Sequence, residues 1–252
     1  MAQSAAATTI PYNAEFAGLP AVIDTFCDNL RAFYTSPLTR DVRQDRWHIV
    51  ELCTYKKERN SQHEFLVAKA EGPVNPNEQD ESEGKNTSNV FLRIERMSSA
   101  QNLLQILVND ALDRVKMTHV PTTKSTDYLV DTLRFSKGSF PTLPQLVVFV
   151  RTVSEAHPRY NLVSWNCYWF ADTVGEVLRQ RYLPTAQANS STTSCVPVEE
   201  QKEAAGPRKG YWKGVPVVKH DKELVTEILH AFEKRWEEFN EQVDVAARNI
   251  QG

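Results

Sequence analysis

The sequence predicts an α+β protein, an antiparallel sheet of about four to six strands with helices packed on one side. Three observations lead there. Between residues 46 and 135, short runs rich in β-branched and aromatic residues alternate with polar turns. Elsewhere, several stretches repeat apolar residues every three or four positions, the period of a helix face. The chain has 252 residues, 41% of them hydrophobic, enough for one sizeable core.

Residues 1–17 read as a loose arm ahead of a domain spanning 18–183. From Leu19 to Tyr34, Val22, Ile23, Phe26, Cys27, Leu30, Phe33 and Tyr34 form the apolar stripe of a helix. Two strands follow, RWHIVELCTY (46–55) and HEFLVAKAE (63–71), joined by a polar stretch as a hairpin. Residues 72–89 are an acidic Pro/Asn/Gly loop, read as a mobile insertion within the domain. NVFLRIER (89–96) alternates as a third strand. Residues 98–112 fit a short helix or a strand, and 114–120 and 128–135 read as further strands. Thr142 caps a helix through Val153, with Pro144 tolerated in its first turn. A second helix runs from Cys167 to Tyr182.

Residues 184–207 are rich in Ser, Thr and Ala and read as a disordered insertion, with Cys195 exposed in it. The last part, 208–252, begins with YWKGVPVV, read as an edge strand. It ends in a long amphipathic helix after Asp221, with Leu224, Ile228, Phe232, Trp236 and Phe239 on one face. That stripe suits packing on its own domain, or the interface of a homodimer.

Composition narrows the function classes. The net charge is −3 with no basic stripe, which argues against a nucleic-acid partner. No stretch of about 18 apolar residues spans a bilayer, and the N-terminus lacks the pattern of a secretory signal. The expectation is a soluble cytoplasmic protein. Four cysteines at 27, 53, 167 and 195 form no CxxC pair and no disulfide framework. His48, His63 and His119 lack a short-range ligand pair, so neither a metal site nor another cofactor is expected.

The chemistry centres on Cys167. Asn166 is a good N-cap, which makes Cys167 the first residue of its helix. The positive end of the helix dipole and its free N–H groups stabilise a thiolate there. The competing reading is a buried cysteine that fills space among Trp165, Tyr168, Trp169 and Phe170. A nucleophile also needs a base. His48 and His63 lie on the two hairpin strands, and if their faces coincide the rings stand across from each other.

The stretch YNLVSWNCYWFA resembles the Y-x-L-x-x-x-N-C-x-x-F-(A/V) motif of circularly permuted papain-like proteins, the group of the lecithin:retinol acyltransferase family and the PPPDE peptidases. The order His48, His63, Cys167 matches that group, and the likeness extends over roughly 45–182. The resemblance implies a permuted papain-like fold, a Cys167 nucleophile, His48 as base and His63 as the residue that orients it. The substrate would be a peptide, a protein or an acyl ester. Related proteins place the histidine just before an aromatic, where Arg46 precedes Trp47 here. Arginine stays protonated and cannot act as a base. The alternative reading is therefore an inactive module whose groove, lined by Trp165, Tyr168 and Trp169, binds a peptide or an apolar ligand. The chain also resembles fungal proteins sharing an LRIER strand and a CYWFADTV helix, a likeness that assigns no activity.

Overall fold

The computed structural model describes residues 19–36, 47–57, 63–73, 87–99, 109–161, 164–183, 209–212, 215–216 and 222–251. The N-terminal arm, Arg46, most of the 72–89 loop, the 184–207 insertion with Cys195, and His220 lie outside them. The described chain is α+β, with a seven-stranded antiparallel sheet.

The strands are β1 (Ala21–Val22), β2 (His48–Lys57), β3 (Glu64–Pro73), β4 (Thr87–Ser98), β5 (Asn109–Thr118), β6 (Asp127–Arg134) and β7 (Arg159–Tyr160). Their order is β1-β5-β4-β3-β2-β6, with β7 also paired to β5. The sheet exceeds the expected count because two of its strands, β1 and β7, are only two residues long. Such short pieces leave no periodic signal.

Alternation decides which residues face the helices. Leu52, Leu66, Ala68, Leu92, Ile94, Val115 and Met117 are buried on one side of the sheet and join a single core. On that side lie α1 (Ile23–Thr35), α2 (Leu143–Ala156), α3 (Cys167–Tyr182) and α4 (Lys222–Gln251). α2 starts as its sequence predicts. The Thr142 hydroxyl accepts from the Gln145 N–H, and the Gln145 side chain accepts from the Thr142 N–H, a capping box. α4 buries Val225, Ile228, Phe232, Phe239 and Val243 in the same core, with Phe232 stacked on Phe149 at 3.4 Å between centroids. Its apolar stripe thus packs on α1, α2 and α3 of its own chain.

Three expectations need correction. The first helix begins at Ile23 rather than Leu19, because Ala21 and Val22 pair with Val115 and Arg114 of β5. The ends of the 72–89 loop are strand, since Gly72 and Pro73 pair with Ser88 and Thr87. A Cβ on Gly72 would stand 2.4 Å from the Trp47 ring, so glycine here admits the indole. The described parts of YWKGVPVV are not an edge strand of the main sheet. They form β8 (Tyr211–Trp212) and β9 (Val215–Pro216), which among the described residues pair with each other.

Candidate active site

Cys167 opens α3. The Asn166 side-chain oxygen accepts from the N–H groups of Tyr168 (3.0 Å) and Trp169 (3.1 Å), and the Phe170 N–H donates to the Asn166 carbonyl. The cap therefore takes most of the N–H groups that the sequence promised to the sulfur. The Cys167 N–H meets the Tyr160 hydroxyl instead, and that hydroxyl also bonds the Cys167 sulfur. Burial pushes the Tyr160 phenol well above its ordinary value, and the field of Cys167 adds to the push. β7 holds Tyr160 in place by pairing it with Asn109 of β5.

His63 is the imidazole that reaches Cys167. It stands just before β3, where its carbonyl accepts from the Lys57 N–H and closes the hairpin. Its side chain bonds the Cys167 side chain, and its Nε2 lies 3.3 Å from Glu95 Oε2. Burial alone would lower the His63 pKa, but the bonds to Cys167 and Glu95 outweigh it and raise it to about 9. Glu95 is lowered to about 2, chiefly by the His63 bond, with burial opposing and Arg93 assisting. Arg93 donates to Glu95 at 3.1 Å, while its guanidinium lies 3.5 Å over the Phe65 ring. Cysteine, histidine and carboxylate thus stand in sequence.

His48 is not part of this group. It pairs with Glu71, bridges to Thr142 and lies 5.8 Å from the Phe140 ring. His63 belongs to the other end of the same hairpin, next to the Lys56–Glu64 pair. β2 is 10 residues long, which separates the two ends by roughly 30 Å. The expectation that the imidazoles face each other fails because antiparallel pairing puts residues near the turn together and sends the strand starts apart. The hairpin turn in the sequence carried this signal.

The aromatic residues expected to line a groove are largely spent on packing. Trp47 is fully buried in the core, and its carbonyl accepts from the Leu143 N–H. Trp165 stacks on His157 at 3.5 Å and meets Trp169 edge-on at 5.2 Å. Tyr168 and Trp169 are buried, the first 5.1 Å from the Lys56 ammonium and the second 5.1 Å from the Arg96 guanidinium.

Beneath the start of α3, two opposite-charge pairs cross the helix-facing side of the sheet. Lys56 of β2 pairs with Glu64 of β3 at 3.3 Å, and Arg96 of β4 holds Asp113 of β5 by two bonds of 2.9 and 3.0 Å. All four residues are buried. Burial raises the Glu64 pKa to about 7 against the opposing pull of the Gly210 N–H and Lys56. The sequence reading missed this ladder, and it missed Glu95. A charge in an alternating strand looks like a solvated face until the neighbouring strand is known.

Among the described residues, no three His, Cys, Asp or Glu side chains converge to hold a metal ion. No helix there is long and apolar enough to cross a membrane. No family model, no curated protein and no solved structure matches the chain.

Proposed function

We propose that the protein is a cysteine-dependent hydrolase or acyltransferase of permuted papain-like type, acting on the amide or ester of a peptide, protein or acyl substrate. The observation that carries this reading is the convergence of Cys167, His63 and Glu95 at the start of α3. The order of a histidine strand before an Asn-Cys helix supports it as well. His63 takes the place that the resemblance gave to His48, and Glu95 becomes the orienting residue.

In this mechanism His63 takes the thiol proton. The Cys167 thiolate attacks the carbonyl carbon, forming a C–S bond and a tetrahedral oxyanion. The Tyr160 O–H and the Cys167 N–H donate to that oxyanion. The His63 imidazolium then protonates the leaving nitrogen or oxygen as its bond to carbon breaks, which leaves a thioester. Water, or a second acceptor, attacks the thioester carbonyl and gives its proton to His63, and the C–S bond then breaks to release the acyl product and restore the Cys167 thiolate. Glu95 keeps Nε2 engaged, so that the other ring nitrogen serves the sulfur. The free thiols of Cys27, Cys53 and Cys167 suit a reducing, cytoplasmic setting.

The test is alkylation of Cys167 by iodoacetamide followed by mass spectrometry, across pH 5–10, in wild type and His63→Ala. Fast reaction near neutral pH that drops at least tenfold in His63→Ala supports the pair. It is followed by hydrolysis of p-nitrophenyl esters, which Cys167→Ala abolishes and His63→Ala slows by about 10²–10⁴. A second reading rests on one observation: Cys167 is only 4% exposed. If it stays silent to alkylation at every pH, the protein is a binding module that kept the geometry without the reaction.

A further inference from the structure

We propose that residues 209–212 form a strap that closes the approach to Cys167 and regulates its access to substrate, an inference that rests on the reading of Cys167 and His63 as a reactive pair. The strap is held by polar contacts at two sockets. In the first, the Lys209 ammonium reaches Asp131 of β6 at 2.8 Å and Asp172 of α3 at 3.4 Å. The ammonium passes close to Gly175, where a Cβ would stand 3.4 Å from it, in ordinary contact. In the second, the Gly210 N–H donates to Glu64 at 2.9 Å and the Lys56 ammonium donates to the Tyr211 carbonyl at 2.5 Å. Gly210 sits at φ +70°, a turn that carries the chain from one socket to the next.

The second socket adjoins the reactive pair through its chain neighbours. Glu64 follows His63 in the chain, and Tyr168 follows Cys167. Lys56 touches both neighbours, since it pairs with Glu64 and lies over the Tyr168 ring. Cys167 as a residue is only 4% exposed, so a substrate carbonyl reaches its sulfur when some element moves. The strap is suited to do so. Its small sheet joins no other described strand, and no described side chain of residues 209–211 belongs to the apolar core. On release, the buried Lys56–Glu64 pair regains water, which offsets the hydrogen bonds that break. Segments tied this way open well below the free energy of global unfolding.

The experiment compares iodoacetamide rates at Cys167 in wild type, Lys209→Ala and Lys209→Arg. Cys27 and Cys53, both buried, report on unfolding in the same samples. Lys209→Ala should raise the Cys167 rate roughly fivefold to tenfold, the ratio given by losing its partly buried contacts to Asp131 and Asp172. Cys27 and Cys53 should stay at their wild-type rates, and Lys209→Arg should restore protection. An unchanged Cys167 rate overturns the strap. So does a rise shared by all three cysteines, because the effect is then global. Failure of the reactive pair reads differently: it appears as no response of Cys167 to His63→Ala, whatever Lys209 does.

Discussion

Glu95 illustrates what a single residue contributes at this site. Its carboxylate meets His63 Nε2 on one side and Arg93 on the other. Replacing it by Gln keeps a hydrogen-bond acceptor but removes the charge that favours imidazolium. Ester hydrolysis in Glu95→Gln should fall about 10- to 100-fold, the usual cost of losing an orienting partner, while circular dichroism stays native. Tyr160→Phe removes the hydroxyl that bonds both the sulfur and the N–H of Cys167. If that hydroxyl serves the oxyanion, kcat should drop about 10²–10³ with little change in KM. An unchanged kcat would remove Tyr160 from the mechanism.

At the scale of elements, the start of α3 depends on its cap and on the charged ladder beneath it. Asn166 satisfies two N–H groups that would otherwise be buried without partners. Asn166→Ala should cost about 1–2 kcal/mol in urea unfolding. Asn166→Asp should keep that stability, yet slow alkylation of Cys167 by placing a carboxylate beside the sulfur. The Arg96–Asp113 pair is buried on both sides and supports Trp169 and Phe170 from below. Breaking it with Arg96→Met leaves a lone buried carboxylate, a loss of about 3–5 kcal/mol. The double change Arg96→Met with Asp113→Leu should recover much of that loss. Were the double variant no better than the single, the packing between the strands would be at fault.

For the whole molecule, three titrating groups near the site set a pH window. His63 has its pKa raised from 6.5 to about 9, so its contribution is full below 6.5 and fades as pH rises through 9. Glu64 is raised from 4.5 to about 7, so its contribution fades as pH rises through 7. Glu95 is lowered from 4.5 to about 2, so its contribution is full above 4.5 and disappears as pH falls through 2. From these groups, stability peaks near pH 4.5, falls through pH 7 as Glu64 loses its proton, and declines further toward pH 9 as His63 does. Thermal unfolding across that range checks it. His63→Gln should flatten the limb between pH 6.5 and 9 by an amount on the order of 2 kcal/mol. A parallel decline in the variant would place the pH dependence elsewhere.

Much of this architecture was legible in the chain because it follows from local periodicity. The span of α3 from Cys167 to Tyr182, the Thr142 cap of α2, the β2–β3 hairpin and the apolar stripe of α4 all follow from spacing that one element expresses alone. Cys167 and His63 were equally legible as chemistry-bearing residues, and so was Asn166 as a cap. The sequence by itself determined the elements, the faces that seek burial and the residue types able to react. Tertiary structure decided the partners. Antiparallel register carried His48 to the far end of its hairpin and brought His63 to Cys167. The fold of β3 against β4 put Glu95 beside that imidazole, and the β7–β5 pairing delivered Tyr160. The physical reason is one of range. Helix and strand periods act over a few residues, whereas a charge learns whether it meets solvent or a partner only when distant strands are laid side by side.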